Sequence, residues 1–181
     1  WAGGFTGSDG HTYRESIEDA EYAIRLASVM QAGALVVYAG ARRGHTRNHA
    51  RRLICGALRE LAPLAEDLEV TLAIEPMHAG CAAEWTFLSS LDESLDLLRS
   101  VESPRVGLVF DTYHLVFDPT IVQAIPSIAD LIAVVHLGDG RNPPSGEQNR
   151  CRLGEGSVPL AELISAIAAA GYQGDYDVEL M

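Results

Sequence analysis

The chain has 181 residues, is 48% hydrophobic and carries a formal net charge of -12. This length and composition are typical of one soluble globular domain with a sizeable core. No run approaches the roughly 20 apolar residues that a membrane-spanning helix needs, and so strong a negative charge opposes binding to nucleic acid. We therefore expect neither a membrane nor a nucleic-acid partner.

The cysteines indicate the compartment. Cys55, Cys81 and Cys151 are odd in number and widely separated, which argues against a disulfide framework and favours a reducing environment. We also expect no signal peptide ahead of Trp1. The sequence therefore predicts a cytoplasmic protein.

Helical and strand-like segments alternate along the chain. A Gly/Ser/Thr-rich opening indicates a loop over 1–15, and a helix is expected from Ser16 to about Gly33. The expected strands are 34–38, 70–75, 106–111, 131–136 and 175–180. Further helices are expected at about 47–68, at 91–101 behind a Ser90/Glu93 capping box, in broken form over 115–131, and at 160–170. The segment 138–156 is expected to be a loop throughout.

The strands are near-continuous apolar runs, as in parallel sheets covered by helices. This pattern predicts an α/β fold, specifically a TIM (β/α)8 barrel. Such a barrel typically takes roughly 250 residues, so we expect residues 1–181 to form a single, truncated barrel domain. The chain would cover about the last five strands, without three leading strand-helix units and a final helix.

Four of the five strand runs finish in a residue type that binds metals: Glu75, Asp111, His136 and Glu179. Because side chains alternate along a strand, the residue two positions before each of these points to the same interior. In a parallel barrel the carboxyl ends of the strands converge on one axis. The sequence therefore predicts that these four side chains meet.

The predicted set contains three carboxylates and one imidazole. It suits Mn²⁺, Mg²⁺, Co²⁺ or Zn²⁺, and the carboxylates favour the harder ions. A metal held here would stabilise an enediolate, and carboxylates on opposite sides of a substrate carbon would move its proton. Taken singly, each residue also has a purely structural explanation: Asp111 caps the next helix, His136 lies in the core, and either glutamate pairs with an arginine.

Arginines and histidines are concentrated in the loop 39–49. Such a loop either anchors an anionic or polyhydroxylated substrate group or simply faces solvent. The sequence leaves both readings open.

Five short motifs in this order and spacing, IEPMH, VFDTYHL, VVHLGD, NRCRLGEG and DVEL, resemble the xylose isomerase-like TIM-barrel superfamily. Within it they are most similar to the sugar phosphate isomerase/epimerase group that includes the ketose 3-epimerases. The resemblance implies one divalent metal bound by Glu75, Asp111, His136 and Glu179. It also implies acid/base catalysis by Glu75 and Glu179 on a small-molecule sugar.

The same resemblance assigns substrate binding to His114 and Arg150, with Arg152 close enough in sequence to compete for the arginine's role. The chain departs from the epimerases at Cys81, where they carry a glutamate, and in a longer segment between His136 and Asn149. The implied function is isomerisation or epimerisation of a ketose or related polyol in carbohydrate metabolism.

Three other functions remain open. A sugar or inosose dehydratase uses the same metal and the same proton abstraction. Endonuclease IV shares the superfamily, but its signature requires an Asp and a His where Gln148 and Arg150 stand. A non-catalytic remnant is the third alternative. The sequence does not settle which sugar is bound, or whether the protein forms a homo-oligomer.

Overall fold

The computed structural model describes residues 1–7, 9–145 and 149–180. Within these residues the α-helices are α1 (Tyr13–Val29), α2 (Arg47–Asp67), α3 (Leu91–Val101), α4 (Thr112–Leu115), α5 (Ile121–Ile128) and α6 (Leu160–Ala169). The strands are β1 (Ala34–Val37), β2 (Thr71–Ile74), β3 (Val106–Asp111), β4 (Ile132–Leu137), β5 (Asp139–Gly140), β6 (Arg150–Cys151) and β7 (Asp175–Val178).

Five strands form one parallel sheet in the order β1-β2-β3-β4-β7. The helices α1, α2, α3 and α6 lie in the connections that precede or join these strands, as parallel pairing requires. The sheet is a half-barrel. It confirms the predicted α/β class, with five strands of a partial TIM barrel.

The core lies where α2 and α3 pack beside the central strands. Ile54, Leu58 and Leu61 on α2 are buried together with Leu72 and Leu108 on the strands. Each such side chain stabilises the fold by about 1.5–3 kcal/mol when it is fully buried. All six residues of β3 are buried, so this strand, which carries Asp111, is the centre of the sheet.

The first helix begins earlier than the sequence pattern predicted. The Thr12 side chain accepts a hydrogen bond from the Glu15 backbone N–H at 3.3 Å, and the Glu15 carboxylate accepts one from the Thr12 backbone N–H at 2.8 Å. This capping box starts α1 at Tyr13 and leaves Ser16 buried inside the helix. The prediction that Ser16 opens the helix was therefore wrong by one turn.

The cap of α3 differs in detail from the predicted box. Ser90 Oγ accepts from the Glu93 backbone N–H at 3.3 Å, as expected, but Glu93 Oε2 accepts from the Ser89 N–H at 3.0 Å. The N-terminus is still capped, and α3 has the predicted bounds.

The segment 138–156 is not a loop throughout. Its described part contains the antiparallel pair β5-β6, in which Asp139 lies opposite Cys151 and Gly140 opposite Arg150. Two-residue strands carry too few apolar positions to be read from sequence. This small ladder lies next to the candidate site.

Three further features bear on the sequence predictions. All three cysteines are free thiols, and no helix of the described residues is both long enough and apolar enough to cross a bilayer. The strand β7 is exposed at all four positions, unlike the central strand β3. An edge strand of this kind has unpaired backbone groups along one side.

We predict that Thr12→Ala destabilises the protein by about 1 kcal/mol, because it removes the hydroxyl that caps α1. Denaturant unfolding followed by circular dichroism measures the change. Thr12→Ser keeps a hydroxyl at the cap and serves as the control. Equal stability of Thr12→Ala and wild type would contradict the role of the cap.

Candidate metal centre

The four predicted ligand positions lie together at the carboxyl ends of four parallel strands. Glu75 directly follows β2, Asp111 ends β3, His136 lies at the end of β4, and Glu179 directly follows β7. One ligand atom from each of these residues lies within 4.8 Å of all the others. Asp111 pairs with His136 in the sheet register, so neighbouring strands present their polar residues at the same height.

His136 stands between the two glutamates. Its Nδ1 lies 3.5 Å from Glu75 Oε1 and 3.5 Å from Glu179 Oε1. Burial would lower the pKa of His136, but the Glu75, Glu179 and Asp111 carboxylates together raise it. The imidazole is therefore surrounded by negative charge.

The two glutamates share the direction of their pKa shift but differ in exposure. The Glu75 side chain is 1% exposed and that of Glu179 is 33% exposed. Burial is the largest cause that raises the pKa of both, and nearby carboxylates add to it. For both glutamates, burial and the neighbouring carboxylates therefore favour the protonated form more than in a free side chain.

Asp111 has two sets of partners. Its Oδ1 accepts from the backbone N–H groups of Tyr113 at 2.7 Å and His114 at 3.2 Å, and so caps α4. Its Oδ2 accepts from Arg150 at 2.8 Å. Burial would raise the pKa of Asp111, but the His114 ring and the Arg150 guanidinium hold it below its usual range. The helix-capping explanation therefore holds together with the site geometry.

Arg150 and Arg152 are placed differently. The Arg150 side chain is 2% exposed, and its Nη2 lies 2.8 Å from Asp111 Oδ2 and 2.5 Å from Glu179 Oε2. Arg152 follows the end of β6 and is exposed. Of the two arginines that the sequence offered, only Arg150 therefore lies against the site.

His114 is buried beside the four ligand positions. Its Nε2 lies 3.9 Å from Asp111 Oδ2, and its Nδ1 lies 3.9 Å from the Cys81 thiol. Burial lowers the pKa of His114 to about 4, so the ring is neutral at pH 7. Cys81, the departure noted in the sequence, therefore contacts His114.

The donor set fits a divalent cation. Among the described residues, Glu75 Oε2 and His136 Nδ1 are buried and have no hydrogen-bond partner, although buried polar atoms are normally satisfied. Three carboxylates and one imidazole that converge within 4.8 Å form an oxygen-rich set suited to hard or borderline ions. A cation among them would satisfy both orphan atoms.

Two residues of the site region were missed in the sequence. Tyr38 directly follows β1, and its pKa is raised by burial and by the Glu75, Glu179 and Asp111 carboxylates. The available signal was that Tyr38 ends the predicted strand 34–38, as the four ligand residues end or nearly end theirs. The register places it one residue beyond the Val37/Ile74 pair, beside Glu75. Asp139, three residues after His136, is 1% exposed and had no assigned role.

Arginines of the basic loop 39–49 contact other segments of the chain and also line a cavity. Arg43 donates to the Gly7 carbonyl, and Arg47 pairs with Glu93. Arg42, Arg43 and Arg47 also line a cavity of about 680 Å³. The contacts support a partly structural role for the loop. Gln148, which the endonuclease IV comparison involves, lies outside the described residues.

Comparisons with known proteins agree with this architecture. A D-psicose 3-epimerase from Enterocloster bolteae is 33% identical over 118 residues, which are 65% of this chain and 36% of that protein. A fructoselysine 3-epimerase from Shigella flexneri is 28% identical over 96% of this chain and 61% of its own length. The chain thus spans between about a third and three fifths of these relatives.

A solved structure of a Sinorhizobium meliloti protein superposes with a TM-score of 0.87 and 29% identity, over 99% of this chain and 67% of that one. The model of the family described as xylose isomerase-like TIM barrel matches residues 2–180. The match spans nearly the whole chain. The protein therefore belongs to the xylose isomerase-like TIM-barrel family.

Proposed function

We propose that the protein is a sugar isomerase or epimerase that depends on one divalent metal ion and acts on a ketose or related polyol through an enediolate. The observation that carries this proposal is the convergence of Glu75, Asp111, His136 and Glu179 within 4.8 Å. Membership of a family whose relatives include 3-epimerases supports the same chemistry.

In this proposal Glu75, Asp111, His136 and Glu179 bind Mn²⁺, Mg²⁺, Co²⁺ or Zn²⁺. When bound, the cation polarises a hydroxy-ketone and stabilises the negative charge of the enediolate. The orphan atoms Glu75 Oε2 and His136 Nδ1 support an ion at this position. Three carboxylates in the set favour the harder ions.

The proposed proton transfer belongs to Glu75 and Glu179. They approach His136 from two strands that are not neighbours in the sheet, β2 and β7. One carboxylate removes the proton from the substrate carbon, and the other, as a carboxylic acid, returns a proton to it. Burial and the neighbouring carboxylates raise the pKa of each, which makes the protonated form of both groups easier to reach.

Substrate binding is assigned to Arg150 and His114. The guanidinium keeps a positive charge beside the reacting oxygens, and its position against Asp111 and Glu179 supports this role. The His114 ring is neutral, and its Nε2 has no hydrogen-bond partner among the described residues. That nitrogen is therefore available for a substrate hydroxyl.

We further propose that residues 1–181 form a single domain that makes up part of a larger barrel. The exposed strand β7 and the partial coverage of both relatives support this proposal. An intact-mass measurement of the protein isolated from its native source tests it directly. A mass equal to that of these 181 residues would contradict it.

We predict that the protein, once freed of metal by a chelator, binds one Mn²⁺ per chain in isothermal titration calorimetry. Glu75→Gln should weaken binding by about tenfold or more, because losing even a partner of a metal ligand typically costs about 10- to 100-fold. The exposed Asp96→Asn is the matched control. No binding, or three ions per chain as in endonuclease IV, would contradict the proposal.

We predict that Glu179→Gln lowers turnover by about 10²- to 10⁴-fold at saturating Mn²⁺, because it removes one acid/base group. A panel of ketoses with chromatographic product analysis measures turnover and separates epimers from dehydrated products. Glu162→Gln, in the first turn of α6, should retain full activity. Wild-type rates in Glu179→Gln would reject its role.

We predict that Arg150→Ala raises KM by about tenfold or more, because hydrogen bonds to charged groups contribute about 1.5–3 kcal/mol. Steady-state kinetics on the best ketose measure it. Arg152→Ala is the matched control, since that side chain is exposed nearby. An unchanged KM in Arg150→Ala, or a larger effect in Arg152→Ala, would argue against Arg150.

A further inference from the structure

The motifs HLGD and RLGEG flank the candidate site, and the proposed chemistry uses only His136 and Arg150 from this region. Asp139 lies between them, buried at 1% exposure, three residues beyond His136. A buried carboxylate needs several donors to offset its desolvation. The hydrogen-bond donors to the Asp139 carboxylate therefore indicate its role in the structure.

Four backbone N–H groups donate to the Asp139 carboxylate. Oδ1 accepts from Gly140 at 2.8 Å and Val158 at 3.1 Å, and Oδ2 accepts from Gly154 and Gly156, both at 2.9 Å. Burial would raise the pKa of Asp139, but these donors lower it. The ionised carboxylate thus binds the turn over 154–158 to the end of β4.

The same residue also begins the ladder that carries Arg150. Asp139 lies opposite Cys151, and Gly140 lies opposite Arg150. Beyond the ladder, the Arg150 Cζ lies 4.6 Å from the centre of the Tyr113 ring, and the Tyr113 hydroxyl accepts from the Asn149 N–H at 2.7 Å. The β5-β6 ladder and the Asn149–Tyr113 hydrogen bond therefore hold the backbone at Arg150, and the Tyr113 ring contacts its side chain.

This packing explains why positions 138 and 156 of the two motifs are glycines. A Cβ on Gly156 would lie 2.0 Å from Asp139 Oδ1, and a Cβ on Gly138 would lie 1.9 Å from the Arg150 Nη1. Both distances are far shorter than van der Waals contact. The carboxylate of Asp139 and the guanidinium of Arg150 thus occupy the space that side chains at these two positions would need.

We propose that Asp139 is a positioning residue, which directs the Arg150 guanidinium onto Asp111 and Glu179 by holding the 154–158 turn and the β5-β6 ladder together. Its effect on turnover rests on the proposed function. The effect of Asp139 on the placement of Arg150 does not depend on the proposed function, and it is measured separately.

The first experiment measures the accessibility of Arg150. Phenylglyoxal modification, followed by peptide mass spectrometry, should be slow at Arg150 in the wild type, because the side chain is 2% exposed. Asp139→Asn should speed it by roughly tenfold, because local opening exposes a side chain without global unfolding. The rate at the half-buried Arg105 is the internal reference. An unchanged Arg150 rate would overturn the proposal.

A second variant covers the outcome in which Asp139→Asn does not fold. Gly156→Ala keeps Asp139 but displaces the turn, and it should expose Arg150 in the same way. Gly33→Ala is the matched control, because nothing lies within 4 Å of a Cβ at that position. Equal Arg150 rates in Gly156→Ala and Gly33→Ala would overturn the proposal.

The second experiment is a double-mutant cycle read by Mn²⁺ affinity. The Arg150 cation pairs with two candidate ligands, so Arg150→Ala should tighten Mn²⁺ binding by about threefold or more. Asp139→Asn should tighten it in the same direction, and the double variant should match Arg150→Ala within about twofold. Weaker binding from Asp139→Asn in both backgrounds would indicate general destabilisation and would overturn the proposal.

The two proposals fail in distinguishable ways. If the wild type binds no Mn²⁺ or turns over no ketose, the proposed function fails, and the phenylglyoxal rates still decide the role of Asp139. If the wild type is active, Asp139→Asn should raise KM as Arg150→Ala does. The double variant should then be no worse than Arg150→Ala alone.

Discussion

The structure depends on one electrostatic constraint, the crowding of carboxylates at the mouth of a half-barrel. Glu75, Asp111 and Glu179 present oxygens within 4.8 Å of one another, and two of the three are fully buried. Like charges at this distance repel strongly in a low-dielectric setting. Positive charge offsets this repulsion, and the chain supplies part of it through the Arg150 guanidinium, which pairs with Asp111 and Glu179.

The positive charge is distributed unequally among the three carboxylates, and they differ in their partners as a result. Arg150 reaches Asp111 and Glu179 but makes no ion pair with Glu75 within the described chain, so Glu75 keeps an oxygen without a partner. Asp111 is held ionised as a structural cap and ion-pair partner. The two glutamates differ from Asp111 in that burial and the neighbouring carboxylates raise their pKa.

The half-barrel explains how distant segments of the chain assemble this cluster. Parallel strands place their carboxyl ends at one edge, so four strands deliver four side chains to one point. The central strand β3 is buried on both faces, whereas β7, which precedes Glu179, is exposed along its length. Asp111 therefore lies on a fully buried strand, and Glu179 follows an exposed one.

The sequence by itself determined the α/β class, the five strands and the phase of the four candidate ligands, because a period of two and apolar runs are local properties of the chain. It also placed α3 and β3 with their observed bounds. The Thr12/Glu15 capping box has an equally local signature, a threonine three residues before a glutamate.

Only the tertiary structure decided which further groups lie beside the four candidate ligands. It selected Arg150 over Arg152, because the short strand β6 ends at Cys151 and Arg152 then turns outward. It brought Tyr38 beside Glu75, and it gave Asp139 four amide donors from residues up to 19 positions away. Such contacts depend on register and loop closure between distant segments, which no local pattern of residues encodes.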